Sequence, residues 1–367
     1  MKVNQRRKLY IVGTHGVPAR YGGFETLADH LCQHLNEDFD ITVYCNAKKY
    51  TERNAEYHGA KLKYINLNAS GFSGIFYDLI TFPIAAIKAD VILFLGVTGA
   101  GLIVPLAKFF RVKVIVNQGG LKEWEREKLS WLQKKWAKFN HKVAARYSDQ
   151  NIVDNKLYGI CLRNDFNAES TVIRYGGDHV KKIDTARFII KHSFLTSPYA
   201  VSVSRAQIDN NLHLLLECFE RFNKFPLVLI SNWEVSTYGQ SLKAKYLGAE
   251  NIILVDAIYD RDELDCIRAN AAIYIHSHSR CGTAPSLVEA MCLEKPVMSF
   301  NAATNIETTE NKALYFANSE ELYELLVNSD QDEIHSLGTA MTRVAQKKYR
   351  WKTISDQYRK LIQLITL

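Results

Sequence analysis

Residues 8–35 read KLYIVGTHGVPARYGGFETLADHLCQHL, and the order of residue types within them decides the architecture. Lys8–Gly13 is a short apolar run without polar alternation, the pattern of a strand covered on both faces. Gly13 to Thr26 then supplies four glycines, a histidine and an arginine before Phe24 to Leu35 takes up helical spacing. A strand passing through a glycine turn into a helix is the repeating unit of a doubly wound parallel sheet.

The same alternation runs outward along the chain. Apolar runs at Ile41–Cys45, Leu62–Asn66, Val91–Leu95, Val112–Val116, Asn151–Val153 and Thr171–Arg174 are each separated by segments long enough for crossover helices. A second series follows at Tyr199–Ser204, Pro226–Ser231, Ile252–Val255, Ala272–His276 and Pro296–Phe300. Gly176 to Ser197, polar and weakly patterned, reads as an interdomain linker. Tyr349 to Leu367 carries Trp351, Ile354, Tyr358, Leu361 and Ile362 at helical spacing. The expected fold is α/β with two doubly wound, Rossmann-like domains facing a central cleft. Residues 1–180 form the N-terminal domain, 190–348 the C-terminal one, and the helix at 349–367 packs back on the first.

Composition fits two such domains. The 367 residues are 47% hydrophobic and 23% charged, ordinary for a folded chain. The formal charge of +7 favours anionic partners. Seven scattered cysteines without a C-x-x-C pair suit a reducing compartment and give no zinc spacing. The short apolar run near the start is no secretion signal. Val91 to Ala107 carries no charge, but its length, three glycines and Pro105 read as strand, turn and short helix rather than a membrane span.

In open α/β sheets ligands bind beyond the carboxyl ends of the strands, so the loops there hold the candidate site. In the Gly13–Thr26 loop, glycine backbone can approach an oxyanion and the helix start attracts phosphate. Arg20 can add a charged donor; Tyr21 lies beside it. There is no G-x-G-x-x-G spacing, so this is not a dinucleotide fingerprint. The second loop, His276 to Ser286, follows a strand and enters a helix at Pro285. Gly282 and Thr283 can offer backbone N–H groups to a diphosphate, with Ser286 in the first turn. Glu289, one turn in, can accept two ribose hydroxyls. His15 either hydrogen-bonds a ligand or caps the helix. His276 and His278 have no metal-ligand company in the sequence.

The second loop, with Glu289-Ala290-Met291 and Lys295-Pro296-Val297, resembles the donor site of the retaining GT-B transferases of glycosyltransferase family 4. The run GTHGVPARYGGFET at 13–26 resembles more narrowly a bacterial branch with rhamnosyltransferases for surface polysaccharides. Thr171–Asp178, Ser231–Glu234, Ile258–Asp260 and Glu307–Asn311 fit the same pattern. The resemblance implies transfer of a sugar, L-rhamnose from dTDP-rhamnose, to a lipid-diphosphate-linked or saccharide acceptor. Arg205, Gly282, Thr283, Ser286 and Glu289 would bind the donor, with Gly22 and Gly23 from the other domain. His15 and Glu123 are the implied catalytic candidates, and Arg20, Tyr21 and Asn117 face the acceptor. Neither cofactor nor metal is required on this pattern, and nucleic acid is no partner.

The sequence also departs from the pattern. Cys281 replaces the acidic residue eight positions before Glu289 and the first glycine of a Gly-Gly-Thr-Asn-Pro-Ser run. Asn210 or Asn211 stands where a lysine often follows the arginine. Asn117-Gln118-Gly119-Gly120 lacks an aspartate, for which Glu123, beside Trp124, can substitute. A degenerate nucleotide-sugar-binding assembly protein and a nucleotide-sugar epimerase are the alternative readings. Lys134, Lys135, Lys138, Lys142 and Arg146, interleaved with Trp136, Phe139 and Val143, form a basic amphipathic stretch. It is either a solvated helix face or a peripheral contact with an anionic membrane. The implied location is the cytoplasm, at the inner membrane face.

Overall fold

The computed structural model describes residues 6–20, 22–67, 71–120, 122–125 and 129–366; the side chains of 71–73 and 123 also lie outside the description. The chain divides into two units, Met1–Arg174 with Lys352–Leu367, and Tyr175–Trp351.

Unit 1 contains β1 (Arg7–Val12), β2 (Phe39–Asn46), β3 (Glu56–Tyr57), β4 (Ala60–Ile65), β5 (Val91–Leu95), β6 (Lys113–Asn117), β7 (Gln150–Val153) and β8 (Thr171–Val172). Their order is β3-β4-β2-β1-β5-β6-β7-β8, parallel except for the β3–β4 pair. All five residues of β5 are buried, as its unbroken apolar run requires. On one face Ile92 and Phe94 pack with Tyr77, Phe82 and Ala85 of the Gly71–Lys88 helix. The strand order reverses between β1 and β5, where the crevice of a doubly wound sheet opens.

Unit 2 contains β9 (Ala200–Val203), β10 (Leu227–Ser231), β11 (Ile252–Asp256), β12 (Ile273–His276), β13 (Val297–Phe300) and β14 (Leu314–Phe316), ordered β11-β10-β9-β12-β13-β14 and wholly parallel. Alternate strand residues feed two cores. Val201, Val228 and Tyr274 face one, and Ala200, Leu229 and Ile275 the other. The order reverses between β9 and β12.

Trp351, Ile354, Tyr358, Leu361 and Ile362 form the buried stripe of the Trp351–Ile365 helix. From Lys352 onward that helix belongs to unit 1. Arg359 Nε donates to Asp38 at 2.7 Å, and its Nη2 donates to the His34 carbonyl at 3.0 Å.

The strands β3 and β14 and the stretch 176–197 differ from the sequence reading. The two-residue β3 and three-residue β14 stand outside the expected strand series. The stretch 176–197 is not an open linker: it folds onto unit 2, where Phe188, Phe194 and Leu195 pack into the core. There Glu263 accepts from Lys191 Nζ at 2.7 Å and pairs with His192 Nε2 at 2.8 Å. Val91 to Ala107 does form strand, turn and short helical segments, and among the described residues no helix is long and apolar enough to cross a membrane.

Candidate active site

In unit 1 the loop after β1 is held by its own helix. Glu25, buried in the first turn of the Gly23–Leu35 helix, accepts from Thr14 Oγ1 at 3.1 Å and from the His15 amide at 2.9 Å. Asp29, one turn on, accepts from the Ala19 amide at 2.8 Å. These two carboxylates fix a loop whose glycines have no alternative. Gly13 has φ +80° and a Cβ there would lie 2.4 Å from the Leu95 carbonyl oxygen. Gly22, at φ +109°, precedes the helix as its N-cap.

His15 is half-buried, with Nδ1 3.4 Å from Asn46 Nδ2. Burial lowers its pKa against the opposing pull of Glu25, so the ring is neutral at pH 7. Arg20 is exposed, donates to the Lys49 carbonyl at 3.0 Å and lies over the Tyr50 ring. Gly23 begins the helix, and Phe24 beside it reaches toward Gly96 and Gly119, where added Cβ atoms would lie 3.4 Å from its ring. The loops after β1, β5 and β6 therefore meet around one aromatic ring.

Asn117 does not offer a free amide to a ligand. It is buried at the end of β6, donates to Tyr358 Oη at 3.0 Å and accepts from the Gly119 amide at 3.2 Å. Trp124 packs against His141 and Phe166. Tyr21 and the Glu123 side chain lie outside the described residues.

In unit 2 the loops after β9 and β12 are laced together beside the strand-order reversal. Ser204 Oγ lies 2.7 Å from His278 Nε2, and Ser277 Oγ donates to the Asn210 carbonyl at 2.5 Å. Asn211 donates to the Ser277 carbonyl at 3.1 Å, and the Ser279 amide to the Asp209 carbonyl at 3.0 Å. Asn210 also donates to the Arg205 carbonyl at 2.7 Å. The two asparagines thus shape this loop. Arg205 itself is exposed, and its guanidinium has no protein partner among the described residues.

The β12 loop enters the Pro285–Cys292 helix, whose N-cap Ala284 has no side-chain cap. Thr283 is buried, Gly282 half-buried, and Ser286 bonds to the buried Tyr274 hydroxyl. Glu289 is engaged through both oxygens: one is ion-paired with Arg268 Nη1, and the other lies 3.2 Å from His179 Nε2. Arg268 Nη2 donates to Asp265 at 2.8 Å, so a buried guanidinium links two carboxylates. Trp351 Nε1 donates to His179 Nδ1 at 3.0 Å, which leaves the His179 proton on Nε2, facing Glu289. Burial pushes the Glu289 carboxyl up, but Arg268 and then His179 outweigh it and hold it at about 2. The carboxylate is fixed and ionised, with lone pairs left for hydroxyl donors.

This shift sets a pH dependence. Glu289 titrates at 4.5 in an unfolded chain and about 2 in the fold, so its stabilisation is whole above pH 4.5 and is lost as pH falls toward 2. Unit 2 should melt at progressively lower temperature across that window by calorimetry, and Glu289→Gln should flatten the slope.

The sequence reading missed Glu25, His179, Asp265 and Arg268. Glu25 carried the same signal as Glu289, an acidic residue in the first turns after a glycine loop. It also treated His276 and His278 as lacking a ligand companion, and this is corrected: Cys281 Sγ and one nitrogen of each ring lie within 4.8 Å of one another. His276 is fully buried, which lowers its pKa to about 3. A groove in unit 2, lined by Phe225, Ala272, Pro296 and Arg343, lies at the amino ends of the strands, away from these loops.

The family description "Domain of unknown function (DUF1972)" matches residues 6–178, and "Glycosyl transferases group 1" matches residues 185–328. No curated protein matches in sequence. Among solved structures, the chain is similar to sucrose-phosphate synthase from Thermosynechococcus elongatus at 15% identity and TM-score 0.82, over 98% of this chain and 99% of that one. HepE of Anabaena, in complex with UDP, is similar at 14% identity and TM-score 0.74, over 97% and 99%. The trehalose-6-phosphate protein of E. coli, bound with UDP-2-fluoro glucose, is similar at 12% identity and TM-score 0.69, over 96% and 98%. These likenesses identify the two parallel-sheet units as the GT-B fold. Carrying a glycosyl transferases group 1 domain on that fold, the chain is a glycosyltransferase.

Proposed function

We propose that this glycosyltransferase moves a sugar, with retention of configuration, from a nucleotide diphosphate donor to a lipid-diphosphate-linked saccharide in surface-polysaccharide synthesis. The sugar is L-rhamnose from dTDP-rhamnose, on the strength of the 13–26 motif; UDP is the next base to test, since HepE structures hold UDP and UDP-glucose. The observation that carries the reading is Arg205. An exposed guanidinium without a protein partner among the described residues stands at the carboxyl end of β9, on a loop tied to the one leading into an uncapped helix N-terminus. That combination suits a diphosphate, with Arg205 supplying charge-assisted bonds and Gly282 and Thr283 the helix-start amides. Glu289, one turn in and held ionised, suits the ribose or deoxyribose hydroxyls.

On this reading catalysis is positioning and stabilisation of the leaving diphosphate, which in turn takes the acceptor proton; no metal is needed. In unit 1, neutral His15 can accept a hydrogen bond from an acceptor hydroxyl, with Arg20 on the acceptor side and Gly22 and Gly23 serving the donor. A lipid-linked acceptor also fits the surface of unit 1. Leu102, Leu106, Phe109, Trp131, Leu132 and Phe139 are exposed among Lys108, Arg111, Lys135 and Lys138, on the short helical segments of 100–110 and the Trp131–Tyr147 helix packed with them. Lys135 Nζ sits 3.8 Å from the centroid of the Trp131 ring. Apolar and basic groups on one face favour an anionic bilayer surface.

The test is incubation with dTDP-, UDP- and GDP-sugars and a lipid-diphosphate monosaccharide, with product identified by mass. One donor should extend the acceptor, with the anomeric configuration kept. Arg205→Ala should weaken donor binding about 10- to 100-fold, the ~1.5–3 kcal/mol of a hydrogen bond to a charged group. Nucleotide binding without turnover would favour the assembly-protein alternative, and no binding would end the donor-site reading.

A further inference from the structure

We propose that His276, His278 and Cys281 form a site for a thiophilic divalent cation, with Zn²⁺ as the best-matched ion. One ring nitrogen from each histidine and the Cys281 sulfur lie within 4.8 Å of one another. His276 Nε2 and Cys281 Sγ are 3.8 Å apart. Two ligands about 2.1 and 2.3 Å from one tetrahedral zinc are separated by close to that distance. The His276 and His278 rings stand 4.2 Å apart between centroids, tilted by 44°, so neither blocks the approach of the other to a shared ion.

The surroundings are those of a built site. His278 Nε2 is held by Ser204 Oγ at 2.7 Å, the kind of outer hydrogen bond that orients a ligating imidazole. An ion takes the other ring nitrogen or displaces the serine. The backbone on either side is fixed: Asn305 Nδ2 donates to the His278 carbonyl at 2.9 Å, and Ser279 Oγ to the Asp209 carbonyl at 2.9 Å. The Cys281 thiol donates to Asn305 Oδ1 at 3.2 Å. On metal binding the S–H proton leaves to solvent, the sulfur–metal bond forms, and Asn305 loses that one donor while keeping its amide contacts. His276 is buried while His278 and Cys281 are half-buried, so the cluster has an open side. Three protein ligands then leave a fourth position for water or an anionic oxygen, the arrangement of open rather than structural zinc sites.

The site arises where the sequence departs from its family pattern, because Cys281 stands in a position the pattern gives to glycine. The proposal does not rest on the donor assignment, since its readout is metal binding alone. The 367-residue protein, reduced and freed of metal, should take up one equivalent of Co²⁺ with thiolate-to-cobalt absorption in the near ultraviolet. Zn²⁺ should displace the Co²⁺ and release protons, seen as buffer-dependent heats in calorimetry. Cys281→Ser, which keeps a donor for Asn305, should abolish the thiolate band and weaken Zn²⁺ binding by at least about tenfold, a loss that even an outer partner's removal can produce. His278→Ala should weaken it comparably, and melting curves will show whether each variant is folded. A Co²⁺ spectrum without thiolate absorption, or Zn²⁺ affinity unchanged in folded Cys281→Ser, would overturn the proposal.

Discussion

Arg268→Met should lower the stability of unit 2 by about 3–5 kcal/mol, the range for removing one partner from a buried ion pair. Arg268 sits between Asp265 and Glu289, and the three side chains are 4%, 7% and 14% exposed. Without the guanidinium, two carboxylates remain in a site that desolvates them and repel each other. The expected response is a marked fall in the unit 2 melting transition, larger at pH 7 than at pH 4, where protonation relieves the stranded charges. Arg268→Lys should recover part of the loss, because one ammonium cannot reproduce two separate guanidinium contacts. The informative control adds Asp265→Leu and Glu289→Met to Arg268→Met. If that triple variant melts above the single one, the loss came from unpaired charge; equal melting would assign it to lost packing.

Gly13→Ala should destabilise unit 1 by an amount on the order of 3 kcal/mol, from left-handed strain and a backbone clash together. At φ +80° the added methyl would lie 2.4 Å from the Leu95 carbonyl oxygen, which belongs to β5 and cannot swing aside like a side-chain tip. Relief requires β1 and β5 to part where the strand order reverses. Gly59→Ala separates the two contributions within the same unit. Gly59 has φ +74°, but its added methyl would make only an ordinary 3.5 Å contact with Asn36. It should lose about 1 kcal/mol from backbone strain alone. Urea unfolding of both variants reads the difference, and equal losses would show that β5 yields without penalty.

The contrast between these sites explains what the sequence could reveal. Gly13 was legible because a glycine between an apolar run and a helix has few other uses. Arg268 was not, because nothing local marks an arginine in the last turn of a helix as the partner of carboxylates three and twenty-one residues away in opposite directions along the chain. The strands fully covered by helices, β5 above all, showed as unbroken apolar runs. The two-residue β3 did not, since its Glu56 is exposed and its pairing depends on β4 being in place. The family resemblance pointed to Asn117 as an acceptor-side residue, but its amide is engaged by Tyr358, far along the chain. The grouping of His276, His278 and Cys281 needed the loop geometry, because their spacing matches no regular ligand motif.

The return of the Lys352–Leu367 segment to unit 1 fixes an order of events during synthesis. Unit 2 is continuous in the chain, and its entrance and exit are pinned together: the Gly177 amide donates to the Tyr349 carbonyl at 2.9 Å, and the Trp351 amide to Asp178 at 2.7 Å. It can close as soon as Trp351 has left the ribosome. Unit 1 is made first yet finished last, since until then its sheet lacks Ile354, Tyr358 and Ile362, and Asn117 lacks its hydroxyl partner. The nascent first half therefore waits with an uncovered apolar strip while the whole second unit is translated, and that interval is when a chaperone has most to protect.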